Sequence, residues 1–569
     1  MRRCVVSCLA FCYLLAAGSD LAPAQPLPQA APSVERPPSG TGFVPPRQDL
    51  SHVAPPPISA AKLRDLPARF DWREQGMLSP VKNQGACGSC YAFAAAGDLE
   101  SRVLRDYDTL VDLSENHLKE CHFEASSCAG GNAQIVVNLL TLQGAVLEAC
   151  DPYVAADVAC NTTCAPQYAV RDWIWLAGSA LPATADLKQA LTDHGPLSST
   201  VYAGDSGNPA WQSAFNAWNG GDGLYYAGGE QPNHAVMLVG WDDDHPHTGG
   251  GQGCWIIKNS WGQAWGDTCG YGTTEGYFYL AYGAAGIGKW TSAITAIMPV
   301  YPELAVMAWD EGGWTSAFGY GQPVAWGLAR YVPAETTNVH CVEFWTTDAA
   351  SQVDVYVYAA FNGSTLSGLL AAELDLSFAA AGYHSVALSE PLPIAAAEDY
   401  YVAVRFQNVS YNYPLAVDQQ GAREAGRTWI SYNASSWIDL GDSQNCEAGI
   451  RIRTSPHTTL PVSQPDEPRP PEAPHRPAPF TLEPAWPNPF NPATSLAFTL
   501  GERSLVRLRV YDLQGRLVDT LVEAELPAGR HLARWTGRDH RGRHVPAGVY
   551  LCRLDDGWHS RSQRMVLLK

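Results

Sequence analysis

Three side chains, far apart along this 569-residue chain, have the chemistry to break an acyl bond together. The first is Cys90, in the run Pro80-Val81-Lys82-Asn83-Gln84-Gly85-Ala86-Cys87-Gly88-Ser89-Cys90-Tyr91-Ala92-Phe93. Small and apolar residues follow it, which predicts a helix that begins near the cysteine. A thiol at a helix N-terminus feels the positive end of the dipole and several unpaired amides. Its pKa then falls below the usual value of about 8.5 and thiolate forms near neutral pH. The second is His234, 144 residues later, at the start of the apolar run Ala235-Val236-Met237-Leu238-Val239. The third is Asn259, 25 residues after that, between Trp255-Ile256-Ile257-Lys258 and Ser260-Trp261-Gly262. Thiolate, imidazole and carboxamide would serve as nucleophile, base and orienting group. Each alone has a blander reading. Cys87 and Cys90 form a C-x-x-C that suits a structural or redox disulfide, a histidine is commonly structural, and an asparagine before an aromatic commonly marks a turn.

The elements needed to assemble these groups are a helix for Cys90 and neighbouring strands for His234 and Asn259. With their order and spacing, the stretch from Leu66 to about Tyr282 resembles the papain family of cysteine peptidases. Leu66-Pro67-Ala68-Arg69-Phe70-Asp71-Trp72-Arg73 resembles a mature N-terminus of that family. Leu113-Ser114-Glu115-Asn116, Cys128-Ala129-Gly130-Gly131 and Trp265 are further landmarks. The resemblance implies a two-lobed fold, with Cys90 on a mainly helical lobe and His234 and Asn259 on a barrel-like lobe. Extended peptide would lie in the cleft between them. It implies that Cys90 attacks the carbonyl, that His234 passes the proton to the leaving amine, and that Asn259 fixes the imidazole. Gln84 would donate its amide to the oxyanion beside the Cys90 N–H. Trp261 would cover the Asn259–His234 contact. Gly130 and Gly131 would pair with substrate backbone. Asn132, Ala133, Thr200 and Pro232 would line a modest apolar pocket for the second residue before the cleaved bond. No cofactor and no metal is implied. The sequence Asp242-Asp243-Asp244-His245-Pro246-His247 carries ligand types but reads as a solvated loop.

Besides that loop, which runs on to Gly251 and is longer than a simple hairpin, the chain departs from the family at two points. Tyr91 replaces the usual tryptophan after the nucleophile, a swap between aromatics. Residues 25–65 are short and rich in Pro and Ala, unlike the long helical pro-domain of many members, which leaves the control of latency open. The resemblance also implies the disulfides Cys87–Cys128 and Cys121–Cys160. Elimination among the remaining cysteines pairs Cys150 with Cys164 and Cys254 with Cys269. Cys341 and Cys446 could close a later domain, and Cys552 is left over.

Length and composition frame the rest. The chain has 37 basic and 57 acidic side chains, a net charge of −20, which argues against a nucleic-acid partner. The charge is uneven: +3 from residue 456 onward against −23 before it. Residues 1–24 read as a signal peptide, with Arg2 and Arg3 ahead of a short apolar run. Fifteen cysteines in an exported chain suggest a disulfide framework. Residues 66–299 form the peptidase-like stretch. Alternating runs such as Val353-Asp354-Val355-Tyr356-Val357-Tyr358 predict a β-sandwich over 300–455. With Trp314-Thr315-Ser316, Trp326-Gly327-Leu328, Gly382-Tyr383-His384 and Tyr411-Asn412-Tyr413, this stretch resembles the lectin-like domain that follows papain-type units in some bacterial surface proteins. Residues 456–479 read as a Pro-rich linker. Residues 480–569 resemble the immunoglobulin-like sorting domain of type IX secretion, carried by Pro487-Asn488-Pro489-Phe490-Asn491-Pro492, Val510-Tyr511-Asp512-Leu513-Gln514-Gly515 and Ala547-Gly548-Val549-Tyr550.

The expected fold class is therefore α+β: a two-lobed papain-like peptidase, a β-sandwich and a small Ig-like domain. The expected function is that of a monomeric, secreted or surface-held bacterial cysteine endopeptidase. Its partners would be protein substrate, secretion machinery and a carbohydrate on the middle domain. A silent adhesin and a transpeptidase using the same site are the rival readings.

Overall fold

The computed structural model describes residues 29–30, 42–55, 66–456 and, in several pieces, most of 481–568. The expected signal peptide and the Pro-rich linker lie outside the described residues. The chain forms two compact units, Met1–Thr459 and Leu460–Lys569.

In the first unit, helix α1 (Cys90–Tyr107) runs through the core of one lobe, with every residue from Cys90 to Ser101 buried. Its small residues allow this. A Cβ on Gly97 would meet the Met237 sulfur at 2.2 Å, so the helix can approach the strand of His234 only with glycine there. Helices α2 (Glu115–Glu120) and α3 (Ala133–Leu142) pack beside α1. Ser114 and Asn132 cap them, each side-chain oxygen accepting backbone N–H groups of the first turn. The other lobe is built on strands β3 (Tyr168–Ala177), β4 (Leu197–Val201), β5 (His234–His247), β6 (Gly251–Lys258), β7 (Tyr277–Ala281) and β8 (Thr291–Pro299). They are hydrogen-bonded in the order β7-β6-β5-β4-β8-β3.

That sheet does not stop at the expected boundary near residue 299. Gly382 and Tyr383 of β15 (Gly382–Ile394) pair with Ile174 and Trp173 of β3, and the sheet runs on through β12 (Thr337–Thr346) and β21 (Ile450–Pro456). These strands form one face of the sandwich. A six-stranded antiparallel sheet forms the other, with Val353, Val355, Val402, Val404, Phe344 and Ile452 in the core between them. The period-2 runs predicted this alternation; Val353, Val355 and Val357 are buried and Asp354, Tyr356 and Tyr358 are not.

Charged groups also cross between peptidase and sandwich. Arg451, fully buried, pairs with Asp310 at 2.8 Å and donates to Asn138 and Thr141 of α3 at 2.6 and 2.8 Å. Arg453 pairs with Glu343 at 2.9 Å and donates to the Thr141 carbonyl. Residues 66–299 thus share a sheet and a buried ion-pair network with the sandwich.

The second unit holds two antiparallel sheets, one of strands Thr481–Leu482, Thr494–Leu500 and Gly529–Trp535, the other of Leu517–Leu526, Ser504–Tyr511, Gly548–Asp555 and Ser560–Leu567 in that order, around Phe490, Leu496, Val506, Leu508, Trp535 and Tyr550. Residues 486–489 and 512–516, which carry parts of the sorting resemblance, lie outside the described residues.

Candidate active site

Cys90 is the first residue of α1, and no side chain caps that terminus. Ser89, the N-cap, instead turns its hydroxyl to Tyr153 at 2.7 Å. His234 is the first residue of β5. The N–H of its neighbour Ala235 donates to Cys90 Sγ at 3.3 Å, which puts the thiol beside the start of that strand. On the other side, His234 Nε2–H donates to Asn259 Oδ1 at 2.8 Å. This fixes the tautomer, and Nδ1, which has no hydrogen-bond partner, is left for proton exchange. Trp261 lies over the histidine with ring centroids 5.0 Å apart and is backed by Phe215 and Trp265. Gln84 is held by two contacts: Nε2 donates to the Cys87 carbonyl at 2.8 Å and Oε1 accepts from Ser260 Oγ at 2.6 Å.

A cluster of titratable groups, buried or half-buried except for Asp112, lies beside the site. Lys82 Nζ reaches Asp112, Glu115 and Glu100 at 2.6, 2.8 and 3.0 Å. Lys258, next to Asn259, donates to the Ser79 carbonyl at 2.9 Å. Burial lowers the Lys258 pKa to about 8. It raises that of Glu115 to about 8, against the pull of Lys82.

The electrostatics of the pair correct the sequence-based expectation of a thiolate. Burial pushes the Cys90 thiol up to about 12, outweighing the N–H groups of Ala235, Tyr91 and Cys90 itself. Burial also lowers His234 to about 4, despite the Asn259 hydrogen bond. Both groups are neutral in this state, and both are wholly inaccessible to solvent.

The cover is the chain's own leader. Phe43 bridges Gly131 in parallel: Val44 N–H donates to the Gly131 carbonyl at 2.8 Å and Gly131 N–H to the Gly42 carbonyl at 2.9 Å. Phe43 N–H donates to the Asn233 carbonyl at 3.0 Å, and its ring, 3% exposed, lies 5.5 Å from Trp290. Asn132 Nδ2 donates to the Val44 carbonyl. Gly42 passes so close to Gly88, two residues before the nucleophile, that a Cβ there would lie 2.4 Å from the Gly88 carbonyl oxygen. Gly131 must be glycine for a similar reason, since a Cβ would strike the Tyr91 ring at 2.7 Å. Tyr91 itself is held by the Ser127 carbonyl at 3.0 Å.

Most of the expected site therefore converges. Gly131 and Asn132 hold a peptide, and Ala133 belongs to the same buried cluster as Phe43 and Trp290. Thr200 spends its hydroxyl on the Lys289 carbonyl, Pro232 lies against Gly286, and Gly130 has φ +106° at the turn into Gly131. Trp290 and the leader were missed. The only sequence signal for the latter was an aromatic and an aliphatic residue between Gly42 and Pro45 in an otherwise Pro- and Ala-rich stretch.

Among the described residues three disulfides form: Cys87–Cys128, Cys121–Cys160 and Cys150–Cys164. The expected pairs Cys254–Cys269 and Cys341–Cys446 do not, and all four thiols are buried. Cys254 Sγ instead faces the carbonyls of His245 and Pro246. The expected solvated loop over 242–251 is a hairpin of β5 and β6. Asp243 there holds Lys188 and Tyr282, and His245 stacks on Tyr279 at 3.6 Å.

The model of the papain family cysteine protease matches residues 66–294. This stretch is a papain family cysteine protease domain. A lectin-like domain matches residues 306–454. Among curated relatives, the papain-family domain is 32% identical over 251 residues to probable cysteine protease RD19C of Arabidopsis thaliana, covering 41% of this chain and 62% of that one. It is 35% identical over 208 residues to cathepsin J of Mus musculus, covering 35% and 58%. The chain thus spans about three-fifths of the length of such relatives. Among solved structures, the cysteine protease and lectin-like domains of Cwp84, a surface layer associated protein of Clostridium difficile, share the fold. The TM-score is 0.60 at 17% identity, over 75% of this chain and 98% of that one.

Proposed function

We propose that this chain is the latent form of an exported cysteine endopeptidase, with Cys90 as nucleophile, His234 as base and Asn259 as its orienting partner. The observation that carries this reading is the assembly of the three from distant parts of the chain: a cysteine at an uncapped helix start, held by the N–H next to a histidine whose far nitrogen is fixed by an asparagine. Once the leader is gone, water and substrate dipoles reach the pair and the thiolate–imidazolium form becomes accessible. Sγ attacks the scissile carbonyl. Gln84, with one amide hydrogen not used on Cys87, and the Cys90 N–H receive the oxyanion. His234 gives its proton to the leaving amine, and water resolves the thioester.

The leader supports latency by occupying Gly131 and Asn132, the positions expected to hold substrate. Its direction protects it. If Phe43 fills the place of the second residue before a cleaved bond, a productive chain must run from that place toward Cys90, whereas the leader runs from Gly42 to Phe43. The N-terminal apolar run and the type IX-like second unit support export to the cell surface of a bacterium with an outer membrane. On the outer face of the six-stranded sheet, Trp326, Tyr356, Tyr358, Phe361, Trp429 and Trp437 are half-buried in one contiguous group, a surface suited to stacking on sugar rings. Trp314, Tyr331 and Tyr383, in contrast, are core.

The test uses the full chain after leader cleavage. Cys90→Ala should abolish peptide hydrolysis, and an epoxysuccinyl inhibitor should label Cys90 alone. Labelling at Cys254 or Cys269 instead would reject the assignment. An adhesin reading would gain from binding without turnover, and a transpeptidase reading from acyl transfer to an added amine.

A further inference from the structure

The leader touches more than the cleft. Beyond Val44 it crosses onto the lectin-like domain. Arg47 lies between Glu124, 3.6 Å away, and the carboxamide of Gln420. Leu50 and Val53 are buried, and Gly178 N–H donates to the Val53 carbonyl at 3.1 Å. A Cβ on Gly178 would run into the Leu50 backbone, so the two main chains are in direct contact. His52 lies flat on Tyr411, 3.8 Å between ring centroids and 5° between planes, and its Nε2–H donates to the Thr347 carbonyl at 2.7 Å. A hollow beside Arg47 and Gln48 is lined by Glu124, Ile135, Trp314 and Thr315. The trough is thus walled by both domains and meets the leader through main-chain and side-chain groups alike.

We propose that this trough, once vacated, is an extended substrate-binding surface. On this proposal, the lectin-like domain grips a long polypeptide on the N-terminal side of the bond that the peptidase cuts. The inference rests on the peptidase reading above. Among the described leader residues, Gly42 packs against Gly88, two residues before the nucleophile, and the path leads on from there through the place of the second residue before the cleaved bond. Substrate residues preceding that bond meet the same walls. Arg47 is five positions beyond Gly42 and His52 ten, so the contacts favour a basic residue about five positions before the residue that is cleaved and a flat ring about ten before it. The preferred substrate is an extended or unfolded stretch of protein, because Gly131, Gly178 and Asn132 bind backbone in a narrow channel. A short peptide gains nothing from Tyr411, Gln420 or Glu124.

The test compares two fluorogenic peptides on the processed full-length enzyme. They share the residues around the cleaved bond. One carries four residues before it; the other is extended by eight more, with arginine and histidine at the stated positions. The long peptide should show at least about tenfold higher kcat/KM, mainly through KM. Tyr411→Ala and Gln420→Ala should remove most of this advantage. The short peptide ends before either residue, so its rate reports the cleft alone. Equal kcat/KM for the two peptides overturns the proposal, as does a Tyr411→Ala variant that loses both rates alike. Failure to cut either peptide overturns the peptidase reading itself.

Discussion

Replacing Phe43 by alanine in the unprocessed chain should open the cleft. The ring is 3% exposed, lies against Trp290 and is part of the same buried cluster as Ala133 and Tyr202. Truncating a buried phenylalanine costs about 3–5 kcal/mol. On the latency proposal the leader leaves while the rest stays folded, so this cost falls on the seated state alone. At 1.4 kcal/mol per factor of ten, the open population rises by about 10² to about 4 × 10³. The assay is the rate of Cys90 alkylation by iodoacetamide at neutral pH, followed by mass spectrometry. In the seated state burial holds the thiol near 12 and shuts out reagent, so alkylation proceeds through the open state. The rate should rise by up to the same factor, with Val53→Ala giving a smaller rise. If Phe43→Ala alkylates at the rate of the parent while Cys90 remains reactive in the leader-cleaved protein, the leader does not control access.

Other outcomes follow from the same geometry. Arg451→Met should cost about 3–5 kcal/mol, because it strands the buried Asp310 carboxylate; thermal unfolding checks this, and isolated residues 66–299 should lack a cooperative transition. In the processed enzyme, Gln84→Ala should lower turnover by ~10²–10³. Asn259→Ala, which leaves the His234 Nε2–H unsatisfied at a cost of about 1–3 kcal/mol, should lower it by less, and His234→Ala should leave almost nothing; turnover of one peptide ranks them. The Glu115 carboxyl, raised by burial from 4.5 to about 8, stays protonated in the fold over a range where the unfolded chain has lost the proton. Its contribution to stability is complete below about 4.5 and is lost as pH rises through about 8. The unfolding midpoint of the parent should fall across that window more than that of Glu115→Gln.

How much of this was legible in the sequence depended on whether the information was local. The start of α1 at Cys90 and the strand at His234 follow from short-range pattern, and their chemistry from residue type. The charge state of Cys90 was not legible, because helix-terminus logic sets a direction that total burial reverses, and burial depends on parts of the chain far away in sequence, residues 42–44 against Gly88 and Asn233 among them. The join between β3 and β15 was invisible for a similar reason. Trp173 and Tyr383 read as ordinary strand residues, and nothing in either run names its partner. Cys254 and Cys269 failed as a pair because counting cysteines assumes each needs a mate, whereas both sit well as small buried groups.

The contact of His52 with Thr347 spans 295 residues, and this sets an order of assembly. During synthesis residues 42–55 emerge long before their far anchor, Tyr411 and Gln420. Such an arrangement would expose the cell to a finished protease with no lid, were the catalytic lobe able to mature early. The strand pairing at Gly382 and Tyr383 works against that, since β3 gains this neighbour only about thirty residues before Tyr411 is made. The workbench and its guard are completed by almost the same stretch of chain, so the interval in which a competent cleft could exist unguarded shrinks toward zero.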